Sequence, residues 1–172
     1  IEADMEPKPI AELEEYKAAG KLENKVALIT GGDSGIGRAI AILYAKEGAN
    51  VAIGYYDEHQ DAEDTVNRLQ EMGVKAKAYA HDLKDEKQSQ KLIKDVINDF
   101  GGLNILVNNG GVQFPRDHFE DITPQQVKES FMTNIFGMMF LSQAAVPYLS
   151  EGDTIINTTS VTAYRGSVSY TH

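Results

Sequence analysis

Short apolar runs alternate along the chain with longer stretches in which apolar residues recur at helical spacing. A short apolar run bounded by glycine or polar residues is typical of a buried parallel strand. Runs of this kind predict five strands, at residues 26–29, 50–55, 74–80, 103–107 and 154–159. Lysine alternates with apolar residues in 74–80, which indicates a strand near a sheet edge. The run 103–107 is almost purely apolar, so we expect that strand to be central.

The stretches between these runs have the three- and four-residue apolar spacing of amphipathic helices. They predict helices over 38–48, 58–72, 85–100 and from 124 to about 149. The last helix has a strong start signal, with Thr123 as N-cap, Pro124 at the first helical position and Gln126 in the capping-box position. Pro147 is expected to bend or end it. Regular alternation of strand and helix predicts an α/β fold with a doubly wound parallel sheet.

Composition narrows the range of partners. The 172 residues include 26 acidic and 16 basic side chains, for a formal net charge of −10 at pH 7. Without a basic cluster, such a chain is not expected to bind nucleic acid or an anionic membrane. There is no cysteine, which fits a cytoplasmic location. The apolar runs are shorter than the ~18 residues of a membrane span, and the four histidines show no ligand spacing, so no metal site is predicted.

The clearest chemical motif is a glycine-rich turn between the first predicted strand and the first predicted helix. Thr30-Gly-Gly-Asp-Ser-Gly-Ile-Gly37 is followed directly by Arg38. A turn of this kind presents backbone N–H groups and the positive end of a helix to an anion, usually a phosphate. Its spacing differs from G-x-G-x-x-G, and no Gly-Lys-Ser/Thr follows as a Walker loop requires. The turn therefore predicts a nucleotide phosphate site.

Polar residues directly follow three of the other predicted strands. Asp82 follows the third strand, Asn108 and Asn109 end the fourth, and Ser160 ends the fifth. The carboxyl ends of parallel strands meet at one edge of the sheet, and ligands bind there at the switch in strand order. These residues and the glycine turn are therefore expected to line one crevice.

Together these motifs resemble the short-chain dehydrogenase/reductase family, including its bacterial subgroup often labelled general stress proteins. The resemblance covers about residues 22–166. Its motifs are Thr30-Gly-Gly-Asp-Ser-Gly-Ile-Gly37, Asp82 after the third strand, Asn108-Asn-Gly-Gly111, Asn134 in Thr133-Asn-Ile-Phe-Gly137, and Ile155-Ile-Asn-Thr-Thr-Ser160. Gly110 stands where the family usually has alanine, a departure that keeps the residue small.

The resemblance implies a Rossmann fold and hydride transfer between a nicotinamide cofactor and a small-molecule carbonyl or secondary alcohol. It implies that Ser160 holds the substrate oxygen and that Asn134 supports a water that relays the proton. It also implies a homo-oligomer, a tetramer, for the intact protein. The implied cofactor-binding residues are Thr30, Gly31, Asp33, Ser34, Gly35, Ile36, Gly37, Arg38, Tyr55, Asp82, Leu83, Asn109, Gly110 and Gly111.

The cofactor is expected to be NADP or NAD, with NADP favoured. An acidic residue at the end of the second strand would accept bonds from a free ribose 2′-OH. Tyr55 holds that place, so exclusion of NADP is not encoded there. Arg38 is positioned either to pair with a 2′-phosphate or to lie as an ordinary arginine on the helix surface.

The family's catalytic Tyr-x-x-x-Lys motif does not occur among the 172 residues. Tyr164 and Tyr170 both follow Ser160 too closely. We expect the chain to stop before the helix that carries this motif and before the family's later strands and helices. Such a chain would bind cofactor with little or no dehydrogenase activity. Two alternatives stay open: a displaced catalytic Tyr170, and an NAD(P)-binding sensor module without catalysis.

Three regions are expected from these patterns. Residues 1–24 are charged, contain Pro7 and Pro9, and predict a polar N-terminal arm in which 11–19 forms one or two helical turns ending at Gly20. Residues 25–166 form the dinucleotide-binding domain. Residues 167–172 are a tail of doubtful origin.

Overall fold

A parallel sheet forms the centre of the computed structural model, which describes residues 5–7, 10–12, 15–161 and 164. Its five strands lie in the order β3-β2-β1-β4-β5. They are β1 (Val26–Thr30), β2 (Asn50–Tyr55), β3 (Ala76–Ala80), β4 (Ile105–Asn108) and β5 (Thr154–Asn157). The predicted placements of β3 at an edge and of β4 inside the sheet are confirmed.

Helices connect the strands. They are α1 (Gly35–Lys46), α2 (His59–Glu71), α3 (Glu86–Phe100), α4 (Pro124–Phe131) and α5 (Gly137–Ala145), with a π turn at Met132–Phe136 and 3₁₀ turns at Phe119–Asp121 and Val146–Tyr148. In the described ranges, none of these helices is both long and apolar enough to cross a bilayer.

The sheet is covered on both faces. Alternate residues of β1 serve opposite layers, because successive side chains of a strand point to opposite sides. Ala27 and Ile29 pack with residues of α1 and α2 in one core, whereas Leu28 packs with residues of α3 and α5, including Leu141, in the other. All five residues of β1 are buried. The doubly wound parallel fold predicted from the sequence is therefore confirmed.

The strand order places a crevice beside β1. β1 pairs in parallel with β2 on one side and with β4 on the other. The chain therefore leaves β1 and β4 in different directions, which opens a space above their carboxyl ends. The glycine turn and the Asn108–Asn109 pair border that space.

Several predicted boundaries shift. Helix α1 begins at Gly35, not at residue 38, because the glycine turn itself coils into the first helical turn. The capping box at Thr123 and Gln126 is present as predicted. The helical run predicted from 124 to about 149 is present, with a π turn at Met132–Phe136 between α4 and α5 and a 3₁₀ turn at Val146–Tyr148 that ends it at Pro147. Asp85 is the N-cap of α3, not its first residue, and its carboxylate accepts hydrogen bonds from the backbone N–H groups of Lys87 and Gln88.

The helical turns predicted for residues 11–19 are absent from the described part of that segment. Its described residues instead have polar side chains that pair with α1 and α2. Glu12 accepts two hydrogen bonds of 2.9 Å from Arg68 Nη2 and pairs with Lys46 at 3.1 Å. Tyr16 donates from its hydroxyl to Glu47.

Glu47 is the main anchor of this segment. It lies at the C-cap of α1 and is only 4% exposed. Besides the Tyr16 hydroxyl, its carboxylate accepts the backbone N–H of Lys21 at 2.8 Å and that of Ala19 at 3.2 Å. These hydrogen bonds, that of Tyr16 foremost, hold the pKa of Glu47 below its ordinary value. The carboxylate thus joins the N-terminal segment to the end of α1.

We predict that Glu47→Gln lowers the urea midpoint of unfolding, because the amide cannot accept all three hydrogen bonds as a carboxylate does. Glu71→Gln is the matched control, since Glu71 is exposed and pairs only at the surface with Arg68. Urea titrations followed by circular dichroism compare the two variants. Equal midpoints for both variants and the parent chain would show that the anchor contributes nothing.

Candidate functional site

The turn after β1 is closed so tightly that it leaves no room for a side chain at Gly37. A Cβ placed on Gly37 would lie 1.9 Å from the carbonyl oxygen of Gly31, so a larger residue cannot be accommodated. Gly31 and Gly35 have φ values of 62° and 52°, where glycine is strongly favoured. The sequence pattern therefore identified a real backbone constraint.

The beginning of α1 faces the crevice without an acidic group in its first turn. Ser34 is the N-cap, but its hydroxyl donates to the Asp33 carboxylate at 3.1 Å and makes no cap bond to the helix. Ile36, in the same turn, is 67% exposed. A helix start whose N-cap side chain makes no cap bond, and which carries no acidic group, is favourable for an anion because the helix dipole attracts negative charge.

Asp33 fixes the turn to the neighbouring helix. Its backbone carbonyl accepts a 3.0 Å hydrogen bond from the Thr65 hydroxyl on α2, and both residues are buried. The turn is thus held between α1 and α2. Thr65 was not among the predicted site residues, because a threonine in the middle of a predicted helix carries no signal of its own.

Thr30 joins the two turns that border the crevice. Its buried hydroxyl accepts the backbone N–H groups of Asn109 and Gly110, both at 2.9 Å, and donates to the Val107 carbonyl at 3.4 Å. One donor and two acceptor positions are the full capacity of a hydroxyl. The turns after β1 and β4 are therefore locked in one relative position by a single side chain.

The side chain of Asn109 is held at both ends. Its Nδ2 donates to the Thr30 carbonyl at 3.2 Å, and its Oδ1 accepts from the Thr158 hydroxyl at 3.3 Å. Thr158 follows β5 and so adds a third strand end to the assembly. The sequence prediction missed Thr158, although it lies in the motif that ends at Ser160.

Asn108 links the same strands one residue earlier. It is 1% exposed, and its Nδ2 donates to Asn157 Oδ1 at 2.8 Å and to the Ser142 hydroxyl of α5 at 3.1 Å. The sequence analysis placed Asn108 in a motif but gave it no role. The structure shows that it ties β4 to β5 and to a helix beneath them.

The loop after β3 carries Asp82 and Leu83 into the same region. Asp82 Oδ1 accepts the backbone N–H of Lys84 at 2.9 Å. A Cβ placed on either Gly110 or Gly137 would lie 3.0 Å from side-chain atoms of Leu83. Leu83 is therefore packed between the turn after β4 and the start of α5.

Lys84 fastens this loop to α4. Its Nζ lies 3.0 Å from Glu129 and 3.8 Å from Asp82. The hydrogen bond to Glu129 is the main cause of a raised pKa for Lys84. The loop that presents Asp82 is thus attached both to the turn after β4 and to the helix that leads to Asn134.

Tyr55 and Arg38 border the crevice from β2 and α1. The hydroxyl of Tyr55 is 2.9 Å from Nδ1 of His59, and their rings meet edge to face. Nε of Arg38 is buried and has no hydrogen-bond partner among the residues that the structure describes. Arg38 thus brings a positive charge to the first turn of α1, directly after the glycine turn.

Asn134 lies inside the π turn and is 8% exposed. Its Nδ2 donates to the Val112 carbonyl and its Oδ1 accepts the Val112 N–H, both at 2.8 Å. A Cβ placed on Gly111 would be 3.0 Å from Oδ1. Both polar atoms of this amide hold the loop after β4 against the helix. π turns inside helices are frequent at functional sites.

The remaining predicted residues lie near the end of the described chain. Ser160 follows β5 and so is placed at the carboxyl edge of the sheet with the other site residues. Tyr164 is 92% exposed. Tyr170 falls outside the described residues. Within the described ranges, no three histidine or acidic side chains come together as metal ligands would.

His81 lies directly beneath the loop that carries Asp82. It is 6% exposed, and its Cε1 would be 2.7 Å from a Cβ on Gly54. Neither ring nitrogen has a hydrogen-bond partner in the described part of the chain. Burial lowers the pKa of His81 to about 4, because the charged ring is poorly solvated there. The ring is therefore neutral at physiological pH.

Comparison with known proteins supplies a family for this arrangement. The sequence model described as short chain dehydrogenase matches residues 25–172. General stress protein 39 of Bacillus subtilis is 48% identical over 167 residues, which cover 97% of this chain and 58% of that protein. Glucose and ribitol dehydrogenase of Daucus carota is 41% identical, covering 95% of this chain and 58% of that protein. The chain thus spans less than two thirds of the length of these curated relatives.

A solved structure shows the same fold. The crystal structure of a short chain dehydrogenase from Burkholderia cenocepacia in complex with NADP superimposes with a TM-score of 0.83 at 35% identity. The match covers 87% of this chain and 61% of that one.

We predict that folding stability falls as the pH is lowered from about 6.5 to about 4, by up to about 3 kcal/mol from His81 alone. In this window an unfolded histidine binds a proton while the buried ring does not, so acid favours the unfolded chain. Urea titrations across the window measure the loss for the parent chain and for His81→Gln.

His81→Gln should lose the part of the pH dependence of the unfolding free energy that His81 contributes. His59→Gln, which alters an exposed histidine, should keep that dependence. A His81→Gln variant whose unfolding free energy depends on pH as strongly as that of the parent chain would contradict the prediction.

Proposed function

The chain belongs to the short-chain dehydrogenase family, and we propose that it binds a nicotinamide dinucleotide at the carboxyl edge of its sheet. The observation that carries this proposal is the Thr30 hydroxyl, which joins the glycine turn after β1 to the Asn109–Gly110 turn after β4. The two turns border one crevice at the switch in strand order, where dinucleotides bind in such sheets.

Each part of the crevice fits one part of the cofactor. The start of α1 is suited to the pyrophosphate, because the positive end of the helix dipole attracts negative charge and the Ser34 side chain makes no cap bond there. Asp82 and Leu83 would meet the adenine. The turn at Asn109, Gly110 and Gly111 would approach the ribose and nicotinamide, with glycine permitting close contact.

The bound cofactor would donate hydride to a small-molecule carbonyl in its reduced form, or accept hydride from a secondary alcohol in its oxidised form. In this proposal Ser160 holds the substrate oxygen by hydrogen bonding. Asn134 acts as a positioning residue, because its amide fixes the loop at Val112. A water that relays the proton would stand near the π turn.

Proton transfer lacks its expected partners in these 172 residues. A tyrosine acid needs a nearby cation that lowers its pKa, and no Tyr-x-x-x-Lys motif is present. We therefore propose that this chain binds cofactor with little or no turnover. The second candidate function, a sensor module that binds NAD(P) without catalysis, would be favoured if the full-length sequence also lacked this motif.

NADP is proposed as the preferred cofactor. Tyr55 occupies the position from which a carboxylate would repel a 2′-phosphate. Arg38 has an Nε without a partner among the described residues and is suited to an anionic ligand. The Burkholderia structure is titled as a complex with NADP, which is consistent with this choice.

A cytoplasmic, homo-oligomeric protein is also proposed, with a tetramer for the intact protein. Four large apolar side chains along α4, the π turn and α5 are 41 to 59% exposed: Phe131, Ile135, Phe136 and Met139. An apolar face of this kind is typical of an interface with another subunit. The absence of cysteine fits a reducing compartment.

We predict that Arg38→Gln weakens binding of 2′,5′-ADP about tenfold, because the 2′-phosphate loses its charged partner. Binding of ADP, which has no 2′-phosphate, should stay within roughly twofold. Calorimetric titration of both nucleotides separates the two effects. Lys91→Gln removes one exposed positive charge on α3 and serves as the control. Equal losses for both nucleotides would contradict the role given to Arg38.

We further predict saturable NADPH binding without carbonyl turnover by the 172-residue chain. Binding is measured by fluorescence, and turnover by NADPH oxidation across a panel of aldehydes and ketones. Robust oxidation with any substrate would overturn the inactivity proposed here. Absence of both NADPH and NADH binding would overturn the cofactor site itself.

A further inference from the structure

The turn after β4 contains the sole Asn-Gly dipeptide of the sequence, Asn109-Gly110. In such a pair the backbone nitrogen of glycine can attack the side-chain carbonyl carbon of asparagine. Glycine has no Cβ to obstruct this approach, and asparagine is among the thermally labile residues. Ammonia leaves as a five-membered imide closes, and water then opens the imide to aspartate or isoaspartate.

We propose that Asn109-Gly110 is a latent deamidation site, which the Thr30 hydroxyl keeps unreactive while the two turns are joined. A second part of the proposal rests on the proposed function: a bound dinucleotide keeps the turns closed and so protects Asn109.

The closed geometry opposes the attack in two ways. The nucleophile is engaged, because the Gly110 N–H donates to Thr30 Oγ1 at 2.9 Å. The target is engaged as well, because Asn109 Nδ2 donates to the Thr30 carbonyl and Oδ1 accepts from Thr158. Reaction therefore requires a local opening of the turn in which these bonds are lost.

The packing of the amide reinforces this restraint. Nδ2 of Asn109 would lie 2.8 Å from a Cβ on Gly37 and 3.3 Å from one on Gly31. The amide thus fills the space that these two glycines leave open. For the attack, the Asn109 amide must turn toward Gly110 and leave the space between Gly31 and Gly37. We therefore expect the reactive, open state to have the turn after β4 separated from the turn after β1.

The product would damage the crevice irreversibly. Aspartate at 109 replaces an N–H donor by a carboxylate oxygen facing the Thr30 carbonyl, and two acceptors then oppose each other. Isoaspartate adds a methylene to the main chain and shifts the two N–H groups away from Thr30 Oγ1. The reaction therefore converts a turn that fits a dinucleotide into one that does not.

Gly110→Ala supplies a variant that hinders the attack sterically without removing Asn109. Gly110 does not have a positive φ, so alanine is compatible with the backbone. Its Cβ would lie 3.0 Å from Leu83 Cδ1, the end of a flexible side chain, and 3.2 Å from Gly31 N. A shift of a few tenths of an ångström at Leu83 relieves the tighter contact.

Peptide mass spectrometry of the full chain, incubated at neutral pH, tests the proposal. Asn109 should gain the mass of an NH2-to-OH exchange fastest in urea, and slowly in buffer. Thr30→Val should raise the rate in buffer about tenfold, the effect of losing two ordinary hydrogen bonds from the closed state. Thr30→Ser, which keeps the hydroxyl, should match the parent, and Gly110→Ala should slow the reaction at least several-fold even in urea, because its Cβ obstructs the attack.

If Thr30→Val does not fold, Thr158→Val provides the test. This variant removes only the hydrogen bond from the Thr158 hydroxyl to Asn109 Oδ1. It should raise the rate about threefold, the effect of one ordinary hydrogen bond, with an unchanged circular dichroism spectrum. No mass gain at Asn109 in urea would overturn the site. Folded Thr30→Val with the parent's rate in buffer would overturn the guarding role of Thr30.

NADP⁺ separates the two parts of the proposal. At 100 times its dissociation constant it should slow the reaction in buffer about 100-fold, if opening and binding exclude each other. If the variants behave as expected but NADP⁺ leaves the rate unchanged, the deamidation site stands and protection by a dinucleotide at this turn is overturned. Slowing of Thr30→Val by NADP⁺ to the parent rate would support closure by the ligand.

Discussion

The hydroxyl of Thr30 is the interaction on which the candidate site depends. It is buried, and it uses both acceptor positions on the turn after β4 and its donor on the Val107 carbonyl within β4. A side chain with its hydrogen-bonding capacity exhausted has one geometry, because any rotation leaves a buried polar group unpaired. The relative position of the two turns that border the crevice follows from it. Whatever binds between them meets a rigid floor rather than two independent loops.

The rest of the crevice is built on the same principle, with amides and hydroxyls spanning from one element to the next. Asn134 holds the loop after β4 against the π turn, and Thr65 holds the glycine turn against α2. Leu83 supplies the apolar counterpart by packing between Gly110 and Gly137. His81 is the exception, since its ring is buried without a partner in the described chain. Such a group has a stability cost that grows in acid, and it lies directly below the loop that presents Asp82.

Local patterns predicted much of this architecture because their causes are local. Strand positions follow from short apolar runs, the start of α4 from the chemistry of Thr123 and Gln126, and the glycine turn from residues that tolerate positive φ or close approach. The failures share one cause. The helix predicted for 11–19 yields to contacts of Glu12 and Tyr16 with α1 and α2, and the helix from 124 contains an unpredicted π turn in which Asn134 pairs with Val112. These partners are distant in sequence, so no window along the chain contains both.

The sequence by itself determined the alternation of strand and helix, the parallel sheet, the family and the identity of the polar residues at the strand ends. Each of these depends on residue type and spacing within a short segment. Only the tertiary structure decided how those strand ends are joined: that Thr30 carries both turns, that Thr158 and Asn108 tie in β5, and that Asn134 uses its amide to hold a loop. Side-chain hydrogen bonds between strands depend on distance and direction in space, which the order of residues along the chain does not specify.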